Sequence, residues 1–351
     1  MRFGYGYVRH MNEEPMDLLS TYAIGAVHHI RPITKGLMHT TLEVEADAGR
    51  FIFQRLHHKL STAEIIDDYE AVTAHLALKG LPSPRLIRCA DGQPVAVDGE
   101  DRWWRLSTFI EGHTPTRVDH PDQAREGARM LGRFHAAMAD IPHTFGSQHP
   151  LHDMEGHLAR LRAAAANPAY AEALATVRDE IAEADALLAQ VLLPADLPLR
   201  VVHGDPKISN IMFSGDQAVA MIDLDTCMRH SVLVDLGDAV RSWCRSGTED
   251  EQQAFQLERF EALLQGYAET GPPLTEAELA LMPEAGRMIT LELASRFLRD
   301  VLEDEYFAWD ADRWPDRRSH NRARGRAMLH LAADMRSKSS EIKDLVRQIF
   351  T

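Results

Sequence analysis

The pattern of apolar and polar positions changes period along the chain, and the change falls near residue 110. Before it, apolar and β-branched residues come in short runs. Val27 to Ile30, Thr40 to Val44 and Phe51 to Leu56 read as strands, and two more follow around Gln93 to Val97 and Arg102 to Phe109. Helices interrupt or precede them: a short one over Met16 to Tyr22, and Ser61 to Leu78, where Ile65, Ile66, Tyr69, Val72 and Leu76 recur at helical spacing. Ser61 is the expected N-cap of the longer helix, with Glu64 three residues on in a capping-box pattern. From about Asp122 the period is helical. Ala128, Leu131, Phe134, His135 and Met138 make one stripe of a helix over 124–139, and Val177 to Leu193 is a second amphipathic helix closed by Pro194. Further helices are expected over 236–244, 249–270, 276–281, 289–302 and 322–350.

One stretch breaks the helical half. In Val201 to Asp225, VVHGDPKISNIMFSGDQAVAMIDLD, the apolar runs Ile211–Phe213 and Ala218–Ile222 flank the turn-forming Ser214-Gly215-Asp216-Gln217 and predict a hairpin. His203-Gly204-Asp205 precedes it, Asn210 lies five residues after Asp205, and Asp223 closes the second strand. The hairpin brings Asp205, Asn210 and Asp223 to one end of a small sheet. That residue set suits phosphoryl transfer: one carboxylate takes the accepting hydroxyl's proton while a second carboxylate and an amide oxygen hold Mg²⁺ against phosphates. Asp205 fits the base, Asn210 and Asp223 the metal ligands, with Asp225 a further ligand or neighbour. Lys207 is placed to steady the transferring group. The spacing matches H-x-D-x-x-x-x-N followed by a metal-binding Asp.

Composition narrows the classes. A chain of 351 residues with 45% hydrophobic content can bury a sizeable core in one large or two medium domains. A net charge of −15 argues against nucleic acid or an anionic membrane as partner, though a nucleotide needs only a local positive pocket. Cys89, Cys227 and Cys244 lack any paired spacing, the first residues lack an apolar signal core, and no run is long and apolar enough for a membrane helix. A soluble cytoplasmic protein is expected. His149, His152 and His157 lie in a Pro/Gly-broken stretch without a Cys partner and are expected in a solvated loop rather than a metal site.

Two departures separate the chain from protein kinases. Gly204 replaces the Arg of H-R-D, and Ile222-Asp223-Leu224-Asp225 replaces Asp-Phe-Gly with no Ala-Pro-Glu after it. The chain resembles the aminoglycoside phosphotransferase and choline kinase superfamily, whose members phosphorylate small molecules. Asp223-Leu224-Asp225-Thr226 followed by Asp235-Leu236-Gly237-Asp238-Ala239-Val240-Arg241-Ser242 is similar to its N-acetylhexosamine 1-kinase branch. So are Leu291-Glu292-Leu293, Arg296-Phe297-Leu298, Asp300, Tyr306-Phe307 and Asn321-Arg322-Ala323-Arg324.

The resemblance implies an α+β, two-lobed protein-kinase-like fold, with a strand-rich nucleotide-binding lobe over 1–110 and a mainly helical catalytic and substrate lobe over 111–351. It implies ATP and Mg²⁺ as cofactors. Gly36 would lie in the loop covering the phosphates. Gln54 stands at the position of the third-strand Lys, with Arg55 on the opposite face, and Glu64, Asp67, Asp68 and Glu70 include a possible partner for the phosphate-binding residue. Backbone from Thr108 to Ile110 would bond adenine, with Glu111-Gly112 turning the chain out. Arg296 and Tyr306 would face the acceptor, a sugar in that branch, phosphorylated at the anomeric hydroxyl. Asp235 and Asp238 are candidates to brace the catalytic loop, Arg241 pairing with Asp238. Alternatives are an aminoglycoside-type, amino-alcohol or hydroxy-amino-acid phosphotransferase. A nucleotide-binding pseudokinase is favoured only by the missing third-strand Lys.

Overall fold

A computed structural model describes residues 16–33, 39–147 and 151–350, so Gly36 and His149 lie outside the described residues. The chain divides into two compact units, Met1–Glu111 with Ile141–Ser147, and Gly112–Asp140 with Gln148–Thr351.

The first unit is built on an antiparallel sheet. Strands β1 (Val27–Ile33), β2 (Thr40–Ala46), β3 (Gly49–Arg55), β4 (Leu86–Ile87) and β6 (Trp103–Thr108) stand in the order β1-β2-β3-β6-β4, and β5 (Ala96–Val97) also pairs with β6. Alternation decides which face packs. Leu42, Val44, Phe51 and Phe53 are buried, and Phe53 stacks on Trp104 with ring centroids 4.7 Å apart. Helix α1 (Ala63–Leu78) buries the five apolar residues of its predicted stripe. Its cap is Thr62, not Ser61: Thr62 has extended backbone, and its Oγ1 accepts from Ile65 N at 3.4 Å. Residues 141–147 join this unit, which a single boundary at 110 does not anticipate. Asp68 on α1 holds them, accepting from Gly146 N at 3.1 Å and Ser147 N at 2.9 Å and pairing with His143 Nε2 at 2.7 Å.

The second unit is mainly helical. Helix α7 (Glu276–Glu303) packs against α3 (Met154–Ala166), α4 (Ala171–Leu188), α5 (Val232–Trp243) and α8 (Arg317–Ser337). Helix α2 (Pro121–Met138) packs against α6 (Leu257–Thr270), and α9 (Ser339–Phe350) ends the described chain. Two expected helices prove to be one across Pro283. Proline removes a single intrahelical bond, but Met282, Ala285, Met288 and Ile289 around it are all buried, and that packing outweighs the local loss. The expected helix over 322–350 is two, parted at Lys338. Helix α3 begins within the stretch of His149, His152 and His157 that reads as a solvated loop, taking His157 into a helix. The remaining strands are β7 (Arg200–Val202) paired with β10 (Met228–His230), and the predicted hairpin of β8 (Ile211–Ser214) with β9 (Gln217–Met221). The turn is the two residues Gly215-Asp216, with Gly215 at φ 57°, as a tight hairpin requires.

Helix α5 is buried almost end to end, and Gly237 lets it reach α7: a Cβ there would lie 2.5 Å from the Ala285 carbonyl oxygen. Gly237→Ala should therefore cost about 1–3 kcal/mol through overpacking against backbone. Urea unfolding measures it, and an unchanged midpoint would contradict the close approach.

Candidate active site

Asp235, in the first turn of α5, organises the catalytic loop. Its carboxylate is fully buried and accepts from His203 N at 2.6 Å, Gly204 N at 2.8 Å and His135 Nε2 at 2.8 Å. Burial pushes the Asp235 carboxyl up, but the bond from His135 and the charges and amide beyond it hold it below the usual carboxylate range. Gly204 has φ 85°, and a Cβ there would meet the Thr226 carbonyl oxygen at 2.5 Å. No side chain larger than hydrogen fits, which explains why Arg is absent from this place.

Asp205 follows. Asn210, buried in a single 3₁₀ turn, donates Nδ2 to the Asp205 carbonyl at 2.8 Å and to Asp205 Oδ2 at 3.3 Å. Lys207 Nζ donates to the same Oδ2 at 2.6 Å. Burial works against the Lys207 charge, yet Asp205 and then Asp223 raise its pKa above the ordinary lysine value. Asp223 lies past the end of β9 rather than closing it, in left-handed backbone at φ 64°. It and the buried Asp225 present carboxylate oxygens within 4.8 Å of each other. Two anions this close repel unless a cation lies between them, and with the Asn210 amide they make a hard oxygen donor set that fits Mg²⁺. Asp205, Lys207, Asn210, Asp223 and Asp225 thus gather at one end of the hairpin.

In the first unit Gln54 and Arg55 face opposite sides of β3. Gln54 Nε2 donates to Thr41 Oγ1 at 3.3 Å and Oε1 accepts from Arg105 at 2.9 Å, while Arg55 donates to Thr40 Oγ1 at 2.9 Å. Arg105 is a cation that sequence reasoning missed. It is buried directly across the ladder from Gln54, its guanidinium 3.8 Å from the centre of the Tyr69 ring. An arginine inside the apolar run Trp103–Leu106 was the available signal. Thr108 is tied to the sheet, its N–H donating to the Arg85 carbonyl at 2.9 Å and its Oγ1 accepting from Arg85 N at 3.0 Å. Ile110 lies two residues beyond, past the end of β6. Asp68 and Glu70 are spoken for, by residues 141–147 and by Arg88. Gly112, φ 141°, sits where a Cβ would strike the Phe213 carbonyl oxygen at 2.3 Å, and His113 bonds Phe213 in both directions.

The far end of α7 carries Arg296, an ion pair's distance (3.7 Å) from Glu292 and within 6 Å of the Tyr306 and Phe307 rings. Asp300 fixes the loop that bears Tyr306, accepting from the amides of Glu305, Tyr306 and Phe307 and from Asn321 Nδ2. His152 and His157 are buried rather than solvated, because both turn toward Glu292, itself 1% exposed. A Glu between Leu291 and Leu293 on a buried face was the signal that such partners exist.

The family model described as phosphotransferase enzyme family matches residues 29–272. Among curated proteins, the homoserine kinase of Rhodopseudomonas palustris is 28% identical over 294 residues, 82% of this chain and 84% of its own. That of Brucella anthropi is 28% identical over 289 residues, 81% and 83%. Among solved structures, an amicoumacin kinase in complex with AMP-PNP, Ca²⁺ and Ami superposes with a TM-score of 0.62 at 17% identity, covering 96% of both chains. A microcompartment-associated aminopropanol kinase gives 0.64 at 17%, covering 93% and 97%. The fold is therefore protein-kinase-like. The named relatives are homoserine kinases, which corrects the N-acetylhexosamine branch suggested by the motifs. Part of the reason is physical: Asp235, Asp238, Glu292 and Asp300, which carried part of that likeness, brace scaffold and are buried among protein groups. Among the described residues no helix is long and apolar enough to cross a membrane.

Asp235→Asn replaces the one acceptor shared by two loop amides and a buried imidazole, and should cost about 3–5 kcal/mol. Because the Asp235 pKa is depressed on folding, its contribution is present above the ordinary carboxylate value and is lost as pH falls through the folded one. Urea titrations should show the wild-type advantage shrinking below about pH 4. An advantage that grows on acidification would contradict the assignment.

Proposed function

This chain belongs to the phosphotransferase enzyme family, and from that membership we propose that it transfers the terminal phosphoryl group of ATP to the side-chain hydroxyl of a small hydroxy amino acid of the homoserine type. The relatives named homoserine kinase, matched across four fifths of the chain, support the acceptor class. The Asp205, Lys207 and Asn210 constellation supports the chemistry.

In this reading Asp205 accepts the proton of the acceptor hydroxyl as that oxygen attacks phosphorus. Asn210 and Lys207 both hold Oδ2, which fixes the carboxylate's orientation and leaves Oδ1 for the incoming hydroxyl. Lys207 brings a positive charge to the oxygens of the transferring group. Asn210 Oδ1, Asp223 and Asp225 would hold Mg²⁺, which when bound offsets the negative charge of the phosphates. Nucleotide recognition is assigned to the first unit, where Gln54, Arg55 and Ile110 lie. Arg296 offers several donors in a rigid fork, suited to the acceptor's carboxylate.

A coupled assay of ADP release over hydroxy amino acids, amino alcohols, aminoglycosides and N-acetylhexosamines tests the reading. A hydroxy amino acid should lead in kcat/KM by about tenfold or more. A sugar or aminoglycoside in the lead would overturn it. Asp205→Asn should lower kcat about 100-fold or more with nucleotide affinity retained, and near-normal turnover in the folded variant would remove Asp205 from the role of base. Asp223→Ala should weaken Mg·ATP binding far more than ATP binding without metal; equal losses would show that Asp223 is not a ligand. Arg296→Ala should lower acceptor kcat/KM about 5- to 150-fold, from the 1–3 kcal/mol of lost hydrogen bonds, while the KM for ATP changes little. A selective ATP defect in a stable Arg296→Ala protein would contradict the acceptor role.

A further inference from the structure

Behind the catalytic loop, inside the second unit, lies a buried cluster that the phosphoryl-transfer residues do not include. His152 is buried with an acceptor on each ring nitrogen: Nε2 is 2.9 Å from the Gly204 carbonyl oxygen, and Nδ1 is 3.3 Å from Glu292 Oε2. An imidazole can satisfy two acceptors only by carrying two protons. His157 approaches the other oxygen of the same carboxylate, Oε1, at 3.8 Å, but its own bonds differ. Its Nε2 donates to the Leu151 carbonyl at 3.0 Å, and its Nδ1 accepts from Arg160 at 3.0 Å, which is the pattern of a neutral ring. Arg296 reaches Glu292 Oε1 at 3.7 Å from one turn further along α7. One carboxylate therefore stands between the residue that holds the Gly204 carbonyl and the residue that faces the acceptor.

We propose that His152, Glu292 and Arg296 act as one positioning relay, in which the ring of His152 fixes the Gly204 carbonyl, and so the backbone that carries Asp205, while the Glu292 carboxylate fixes the guanidinium of Arg296. Asp205 and Arg296 must be in register for an acceptor held at its charged end to present its hydroxyl to the base. A misplacement of about 1 Å in such a pair can cost about 100-fold in rate. The relay rests on the proposed function for the roles of Asp205 and Arg296.

The charges around His152 agree with the geometry. Facing it are Glu292 on α7, Asp238 on α5 and His230 on β10, with His157 on α3 and Arg296 beyond the carboxylate. Burial opposes the His152 charge, but Glu292 and then Asp238 outweigh it and lift the group to about 9. Burial lowers His157 to about 4, and burial together with the His152 charge lowers His230, so one histidine of the three carries the proton at neutral pH.

Nitrogen-15 labelling of the histidines reads this without any acceptor. His152, assigned by its loss in His152→Gln, should show both nitrogens protonated through about pH 6 to 8 and release one as pH rises through about 9, with His157 singly protonated throughout. Glu292→Gln should return the His152 titration toward its ordinary range. A singly protonated His152 at neutral pH overturns the relay, and it does so whatever the acceptor proves to be. Kinetics give the second arm, using whichever acceptor the wild type phosphorylates. His152→Gln keeps one donor and loses the other, and should lower kcat about 10- to 100-fold with the KM for ATP within about twofold. Glu292→Gln should raise the acceptor KM at least about fivefold, and the double variant should be little worse than the worse single. Folded variants with wild-type kcat and acceptor KM, or strictly additive losses, overturn the relay. If His152→Gln does not fold, Glu292→Gln carries both arms. A wild type that phosphorylates only sugars would sink the hydroxy-amino-acid reading and leave the nitrogen-15 result standing.

Discussion

The loop that carries Asp205 depends on one buried carboxylate. Asp235 is buried, bonds no Arg or Lys among the described residues, and is held ionised by two loop amides and one imidazole. An ion in that setting is costly unless each donor is in place, so its three bonds are satisfied together or not at all. Their joint geometry sets the backbone of His203 and Gly204 and forces the positive φ at Gly204 that only glycine tolerates beside the Thr226 carbonyl. Asp205 is then where the chain must go next. The interaction that fixes Asp205 is thus one residue removed from it.

How much of this was legible in the sequence depends on whether a residue acts locally or through a distant partner. The hairpin was legible because two apolar runs around Gly215-Asp216 allow little else, and with it the grouping of Asp205, Asn210 and Asp223. The strands and the stripe of α1 were legible from period. The cap at Thr62 was not, since adjacent Ser61 offers the same hydroxyl and only backbone geometry selects between them. Helix α7 was split in expectation because Pro283 is a local breaker, whereas the packing that carries the helix across it comes from segments far away in the chain. His152 and His157 were misread for the same reason: their partner, Glu292, lies 140 residues from His152. Arg105 was hidden inside a strand whose neighbours are apolar.

The acceptor is the feature that motif reading served worst. Asp235, Asp238, Glu292 and Asp300 look distinctive because buried carboxylates are costly to change, yet each is spent on loop amides, Arg241, histidines or Asn321. Such residues mark a scaffold, and a scaffold can serve many acceptors. The candidate proposed for reading the acceptor is Arg296, which pairs with Glu292 and is flanked by Tyr306 and Phe307.

The most direct measurement of the central claim is phosphorus-31 and proton NMR of the product formed from homoserine and ATP by the purified protein. The account predicts a phosphate monoester whose phosphorus couples to the side-chain methylene protons, formed by the wild type and lost in Asp205→Asn. ATP turnover that yields no such ester from homoserine or any other hydroxy amino acid, or an ester formed equally by Asp205→Asn, would contradict it.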